Sequence, residues 1–185
     1  MGMPAHQAEW TAEMARALPE DGKRYEVLDG ELFVTPAPGW KHQIVLVRLL
    51  RLIDRYVEEH RLGWTLLSPA DIEFSARRLL QPDLFVVPAR GEGEPRSWRD
   101  VTTLLLTVEA LSPSTARADR LKKRPIYQEH GVPEYWIVDT DTRIVERWRP
   151  GDDRPEVIAD VLEWQPKAGV AALRIDLAEV FGPID

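Results

Sequence analysis

The chain has 185 residues, 44% of them hydrophobic, a net charge of -7 and no cysteine. That length and apolar fraction suit one domain with a sizeable core, and the missing cysteines exclude disulfides, thiolate chemistry and sulfur-ligated zinc, favouring a reducing, cytoplasmic location. The acidic balance argues against coating nucleic acid by cationic neutralisation of phosphates, and no run approaches the roughly 20 apolar residues of a membrane span.

The whole of 1–185 reads as a single domain, with 1–23 as an N-terminal helical extension. Trp10, Met14 and Leu18 recur at helical spacing between Gln7 and Leu18 and predict a short amphipathic helix. Tyr25 to Leu28, then Asp29-Gly30, then Glu31 to Val34 predicts a two-residue hairpin, because Asp-Gly takes the positive φ angles of a type I′ turn. A period of two puts Glu26, Leu28, Glu31 and Phe33 on one face of it. After the breaker Pro36, Pro38 and Gly39, the stripe His42, Leu46, Leu49, Leu50, Ile53 and Val57 predicts a long helix over Trp40–His60. Strands are expected at Trp64–Leu67 and Ala70–Phe74, with Arg77 and Arg78 on a turn.

Asp83–Val87 and Leu104–Leu111 are nearly unbroken apolar runs of the kind found in central strands covered on both faces. Between them Arg90–Arg99, with Gly91, Gly93 and Pro95, predicts a mobile surface loop. The hydroxyl of Ser114 or Thr115 is placed to cap a helix running to about Glu129, which Pro125 should kink or split. Glu134–Asp139 and Arg143–Arg149 read as a hairpin, and Val157–Val161, Val170–Ile175 and a short helix at Leu177–Phe181 should close one edge. The pattern predicts an α/β (α+β) fold with a mixed central β-sheet flanked by helices. The connection from the Glu109 strand to the Glu134 strand predicts a right-handed parallel crossover, which brings the first turn of its helix beside the end of the Glu109 strand.

Two acids interrupt the apolar strands: Asp83 in Gln81-Pro82-Asp83-Leu84-Phe85, and Glu109 in Leu106-Thr107-Val108-Glu109-Ala110. Burying a carboxylate without a partner costs several kcal/mol or forces its pKa upward. Five basic residues follow on the next helix, Arg117, Arg120, Lys122, Lys123 and Arg124, against one acid, Asp119. Acid, acid, then lysine is the order of a divalent-metal phosphodiesterase site. Mg2+ or Mn2+ takes hard oxygen ligands, usually one or two carboxylates with waters and substrate phosphate, so Asp83 and Glu109 are the candidate metal ligands. Lys122 or Lys123 is placed to orient the attacking water or neutralise developing charge. His42 falls on an apolar stripe, where a hydrogen-bonded core histidine is more frequent than a ligand.

The run Val108 to Thr115, followed by Asp119, Lys123, Tyr127 and Gly131 to Asp139, resembles the Uma family of restriction endonucleases within the PD-(D/E)XK nuclease superfamily. Arg24-Tyr25-Glu26, Asp29-Gly30-Glu31-Leu32, His42-Gln43 and Gln81-Pro82-Asp83 fit the same family, so the resemblance extends from Arg24 to Phe181. It implies a restriction-endonuclease-like core, DNA as substrate, and metal binding by Asp83 and Glu109. The superfamily's acid-x-lysine spacing would put lysine at Leu111; the resemblance instead points to Lys123 on the following helix. Glu31 has two readings, an additional catalytic acid, or a residue that pairs with Arg24 or caps the hairpin. By analogy with single-domain endonucleases a homodimer is expected. The competing reading is a catalytically inactive nuclease-fold module that binds nucleic acid or protein, motivated by the lysine missing after Glu109.

Overall fold

The computed structural model describes residues 9–89, 95–112 and 115–183. A six-stranded mixed sheet forms the centre, built from β3 (Gly63–Leu67), β6 (Leu84–Pro88), β7 (Leu106–Ala110), β8 (Tyr135–Asp139), β9 (Ile144–Trp148) and β10 (Glu156–Ile158) in the order β10-β9-β8-β7-β6-β3. Within it β7 and β8 run parallel, joined by the expected crossover, and the other pairs are antiparallel. A smaller antiparallel sheet is ordered β2-β1-β5-β4, from β1 (Arg24–Leu28), β2 (Glu31–Thr35), β4 (Ile72–Ser75) and β5 (Arg78–Leu80). A third pair joins β11 (Val161–Trp164) to β12 (Leu173–Asp176).

Strand periodicity divides the central sheet into two dry faces. Leu84 and Val86 of β6, with Leu106, Val108 and Ala110 of β7, pack into a cluster with the buried stripe of α2 (Trp40–Glu59) and with α5 (Leu177–Val180). Phe85 and Val87 face the opposite way, toward Leu28, Ile72 and Leu80 of the small sheet and Ile126 and Tyr127 of α4 (Arg124–Glu129). The same parity sends Glu109 to this second face, while Asp83 lies just before β6 with His42 of α2 and Arg24 of β1 on its oxygens. Full burial of each large aliphatic side chain stabilises by about 1.5–3 kcal/mol, so both faces hold the strands that bear the acids.

The Asp29-Gly30 hairpin forms as expected, with φ of 52° and 85° at its two turn residues and Leu28 opposite Glu31. Helix α1 (Ala12–Arg16) is shorter than the predicted segment, whose first two residues lie outside the described residues. Arg78 belongs to a strand rather than a turn: the turn is Ala76-Arg77, and β5 is a three-residue strand bridging β1 and β4. Val157–Val161 is not one strand, because a bend at Ala159-Asp160 sends β10 to the central sheet and β11 to its own hairpin. Of the expected mobile loop, residues 90–94 lie outside the described residues, while Ser97 and Asp100 form a capping box on a 3-10 turn at Trp98–Asp100.

The crossover helix runs unbroken over 116–129 but carries a π turn just ahead of Pro125. Short α3 (Ala116–Ala118) passes through a π-helical turn at Asp119–Lys123 into α4, with Pro125 in the first turn of α4, where its missing N–H is tolerated. Thr115 sits at the N-cap of α3 without capping it; its hydroxyl accepts from the Ser112 backbone N–H at 3.3 Å, and Ser114 lies outside the described residues. In an uninterrupted α-helix, Asp119 and Tyr127 would diverge by about 80° around the axis. One extra residue in a wide turn removes most of that rotation and keeps Asp119, Lys123 and Tyr127 facing the sheet.

Candidate active site

Asp83 immediately precedes β6, and its side chain is pinned to the neighbouring strand. The Ala110 backbone N–H donates to Asp83 Oδ2 at 2.9 Å, one residue beyond Glu109. His42, on the first turn of α2, bonds the same oxygen through Nε2 at 2.9 Å, and Arg24 of β1 bonds Oδ1 through Nη1. Because an ionised carboxylate only accepts, His42 Nε2 is the donor. Burial pulls the Asp83 carboxyl upward, but the His42 hydrogen bond and the charges of Arg24 and Lys123 outweigh it and hold the group at about 2.

Glu109 faces a different partner set. Lys123 Nζ lies 3.0 Å from its Oε1, and Tyr127 OH donates to the same oxygen at 3.2 Å. Lys123 is buried, and its ammonium also meets Glu26 Oε2 at 3.0 Å and Asp119 Oδ1 at 3.4 Å. Glu26 is fixed in turn by the Gln81 backbone N–H, which donates to its Oε1 at 2.8 Å. An ammonium has three N–H donors, and three carboxylates surround this one. Lys123 therefore clamps Glu109 and Glu26 together, with Asp119 at a longer 3.4 Å.

Four carboxylates, Glu26, Asp83, Glu109 and Asp119, are each no more than 3% exposed. Arg24 and Lys123 supply two permanent positive charges against them. The excess shows in the titration of the acids. Glu109 is held well above its ordinary range by burial, against the opposition of Lys123 and with the charges of Asp83, Asp119 and Glu26 adding to the rise. Asp119 is also raised by burial, against the opposing charge of Lys123. Lys123, which burial alone would lower, is held well above its ordinary value by Glu109, Glu26 and Asp119 and stays an ammonium.

Glu31 is not brought to this cluster. Its side chain is exposed at the hairpin tip and ion-pairs with Lys122, which also lies over the Phe33 ring at 4.6 Å. The partner of Glu31 is Lys122 and not the expected Arg24, which binds Asp83. Of the positive run on the crossover helix, Arg120 binds Glu146 at 2.6 Å, and Arg124 stacks on Trp148 at 4.6 Å. Glu26 is the buried acid that sequence reasoning left out of the site, although the hairpin register had already placed it beside apolar residues. Among the described residues no group of three or more His, Cys, Asp or Glu is arranged as a ready metal cage.

A family model described as Uma2, putative restriction endonuclease, matches residues 12–178. The chain belongs to the Uma2 family. No curated protein matches this Uma2 chain. A solved structure, a putative nuclease belonging to DUF820 from Anabaena variabilis ATCC 29413, superposes with a TM-score of 0.73 at 20% identity, covering 92% of this chain and 97% of its own. At that identity the likeness is one of fold, and it matches the mixed central sheet flanked by helices. Among the described residues of the Uma2 chain no helix is long and apolar enough to cross a membrane.

Proposed function

We propose that this Uma2 chain is a divalent-metal-dependent DNA endonuclease, with Asp83 and Glu109 as its metal ligands. The observation that carries the reading is that Asp83, just ahead of β6, is held by the Ala110 N–H next to Glu109 of β7, inside a buried cluster holding more carboxylates than fixed cations. The donor set is all hard oxygen, and the unbalanced negative charge suits Mg2+ or Mn2+, which completes its shell with water and phosphate around one or two carboxylates. When bound, such an ion supplies Lewis acidity to a phosphoryl oxygen and a more acidic water.

The chain's own residues do the positioning. His42 and the Ala110 N–H fix the Asp83 carboxylate and keep it ionised. Lys123 and Tyr127 fix Glu109, and Lys123 gathers Glu26 and Asp119 about the same point. Preorganised groups of this kind need no reorganisation as charge develops, which is the larger part of electrostatic catalysis. Cutting both strands of a duplex with one such site per chain makes a homodimer the working unit.

The test is plasmid nicking with Mg2+ and Mn2+ by the wild type and Asp83→Asn, together with calorimetry of Mn2+ binding. Cleavage by the wild type and a loss of about a hundredfold or more in the variant is the expected result. Equal cleavage by both proteins defeats the reading, and binding of DNA without cleavage by either favours the inactive module.

A further inference from the structure

We propose that Arg24 is the phosphate-contacting residue of this site, and that the cleft it lines is the subsite for the sugar-phosphate backbone of a nucleic-acid substrate. The inference rests on the nuclease reading for its substrate class, and on separate observations for its residue.

Most of the acid cluster is sealed. Glu109, Lys123 and Asp119 are buried, and the Lys123 ammonium faces carboxylates. The larger opening lies on the Asp83 side, where a cleft of about 670 Å3 is lined by Arg24, His42, Asp83, Lys23, Tyr25 and Trp98; on the Lys123 side a cavity of about 40 Å3 reaches Glu26 and Lys123. The larger of the two admits a nucleotide-sized group.

Among its lining arginines, Arg16 and Arg24 each keep one buried nitrogen without a partner, and Arg24 is the one bound to Asp83. Arg16, also lining the cleft, is paired with Asp71 and Glu73, and Lys23 is paired with Asp21. Arg24 binds Asp83 through Nη1, while its Nε is buried and makes no hydrogen bond. A guanidinium has five N–H donors in a planar fork, so this one keeps donors for a second oxyanion while still holding the first. The side chain remains 14% exposed. Beside it His42, which is 7% exposed, has Nδ1 buried without a partner, on the ring whose Nε2 is committed to Asp83. Unsatisfied buried polar atoms are rare in folded proteins, and two of them beside one carboxylate mark a place where a ligand or its bound water completes the hydrogen bonding. Arg24 thus offers a phosphate contact on the Asp83 side of the site.

The experiment is a titration of the full chain with thymidine 3′,5′-bisphosphate in EDTA, followed by the arginine Nε–H resonances in NMR and by calorimetry. The Arg24 Nε–H signal is expected to shift with saturation, Arg24→Lys to weaken binding by about tenfold or more, and Glu31→Ala to bind like the wild type. No saturable binding overturns the proposal, as does an Arg24 signal that stays fixed at saturation. The wild-type signal needs no variant, so a misfolded Arg24→Lys leaves the test intact. Plasmid nicking separates the two readings. Bisphosphate binding through Arg24 without nicking removes the nuclease and keeps the subsite; nicking that Arg24→Lys leaves unchanged removes the subsite and keeps the nuclease.

Discussion

Lys123 Nζ stands 3.0 Å from Glu109 Oε1, joining residues 14 apart in sequence across the end of β7 and the π turn that follows it. Removing one partner of a buried ion pair leaves an uncompensated charge and costs about 3–5 kcal/mol. Here three acids would lose their cation together. Lys123→Met is expected to lower the melting temperature by roughly 10 °C. A melting curve within a degree or two of wild type would show that the ammonium is not what holds the cluster.

The raised Glu109 carboxyl makes stability depend on pH. Burial is its main cause, opposed by Lys123 and reinforced by the neighbouring acids. A group whose folded value is raised keeps a proton that the unfolded chain releases above about pH 4.3. Its contribution is fully present below that pH and is lost as pH climbs toward the folded value. Glu109→Gln is therefore expected to melt above the wild type at pH 8 without divalent ions, with the gap narrowing at pH 5. Calorimetric scans at the two pH values check it; a gap that widens toward pH 5 contradicts the sign.

Gly63, which opens β3, has a φ of 150° and no room for a side chain: an added Cβ would lie 1.8 Å from the Val87 carbonyl oxygen. Relief requires β3 to move away from β6. Gly63→Ala is expected to destabilise by about 3 kcal/mol, measured by urea unfolding. An unchanged midpoint would mean that this strand edge is far more pliable than its packing suggests.

Glu31 and Lys122 form an exposed pair. Such pairs contribute about 0–1 kcal/mol, so Glu31→Ala should move the unfolding free energy by less than that and leave Mn2+ binding intact. Loss of Mn2+ binding in this variant would return Glu31 to the site.

Much of this was readable before any coordinates. The Asp29-Gly30 turn, the α2 stripe and the two acid-bearing strands each rest on a local rule, and local rules act within a few residues. Asp83 and Glu109 stood out because a charge inside an apolar run is costly wherever the run ends up. Three features were harder to see. β5 is only three residues long and begins with Arg78, so its pairing is decided by β1 and β4 and not by its own composition. The bend at Ala159-Asp160 divides two strands that look continuous in hydropathy. Glu26 joined the site through Lys123, a contact between a hairpin and a helix almost a hundred residues later, which no periodicity encodes.

The lysine's place on a helix changes how the site comes into being. A lysine on β7 would be carried by the central sheet alone. Lys123 instead gathers Glu26 from the small sheet, Glu109 from the central sheet and Asp119 from its own π turn. The site is then a joint between separate layers, assembled only when the hairpin and the crossover helix are both docked. Its acids can be no more rigid than that docking, and a ligand that loosens or tightens the hairpin has a mechanical route to the chemistry without touching an acid.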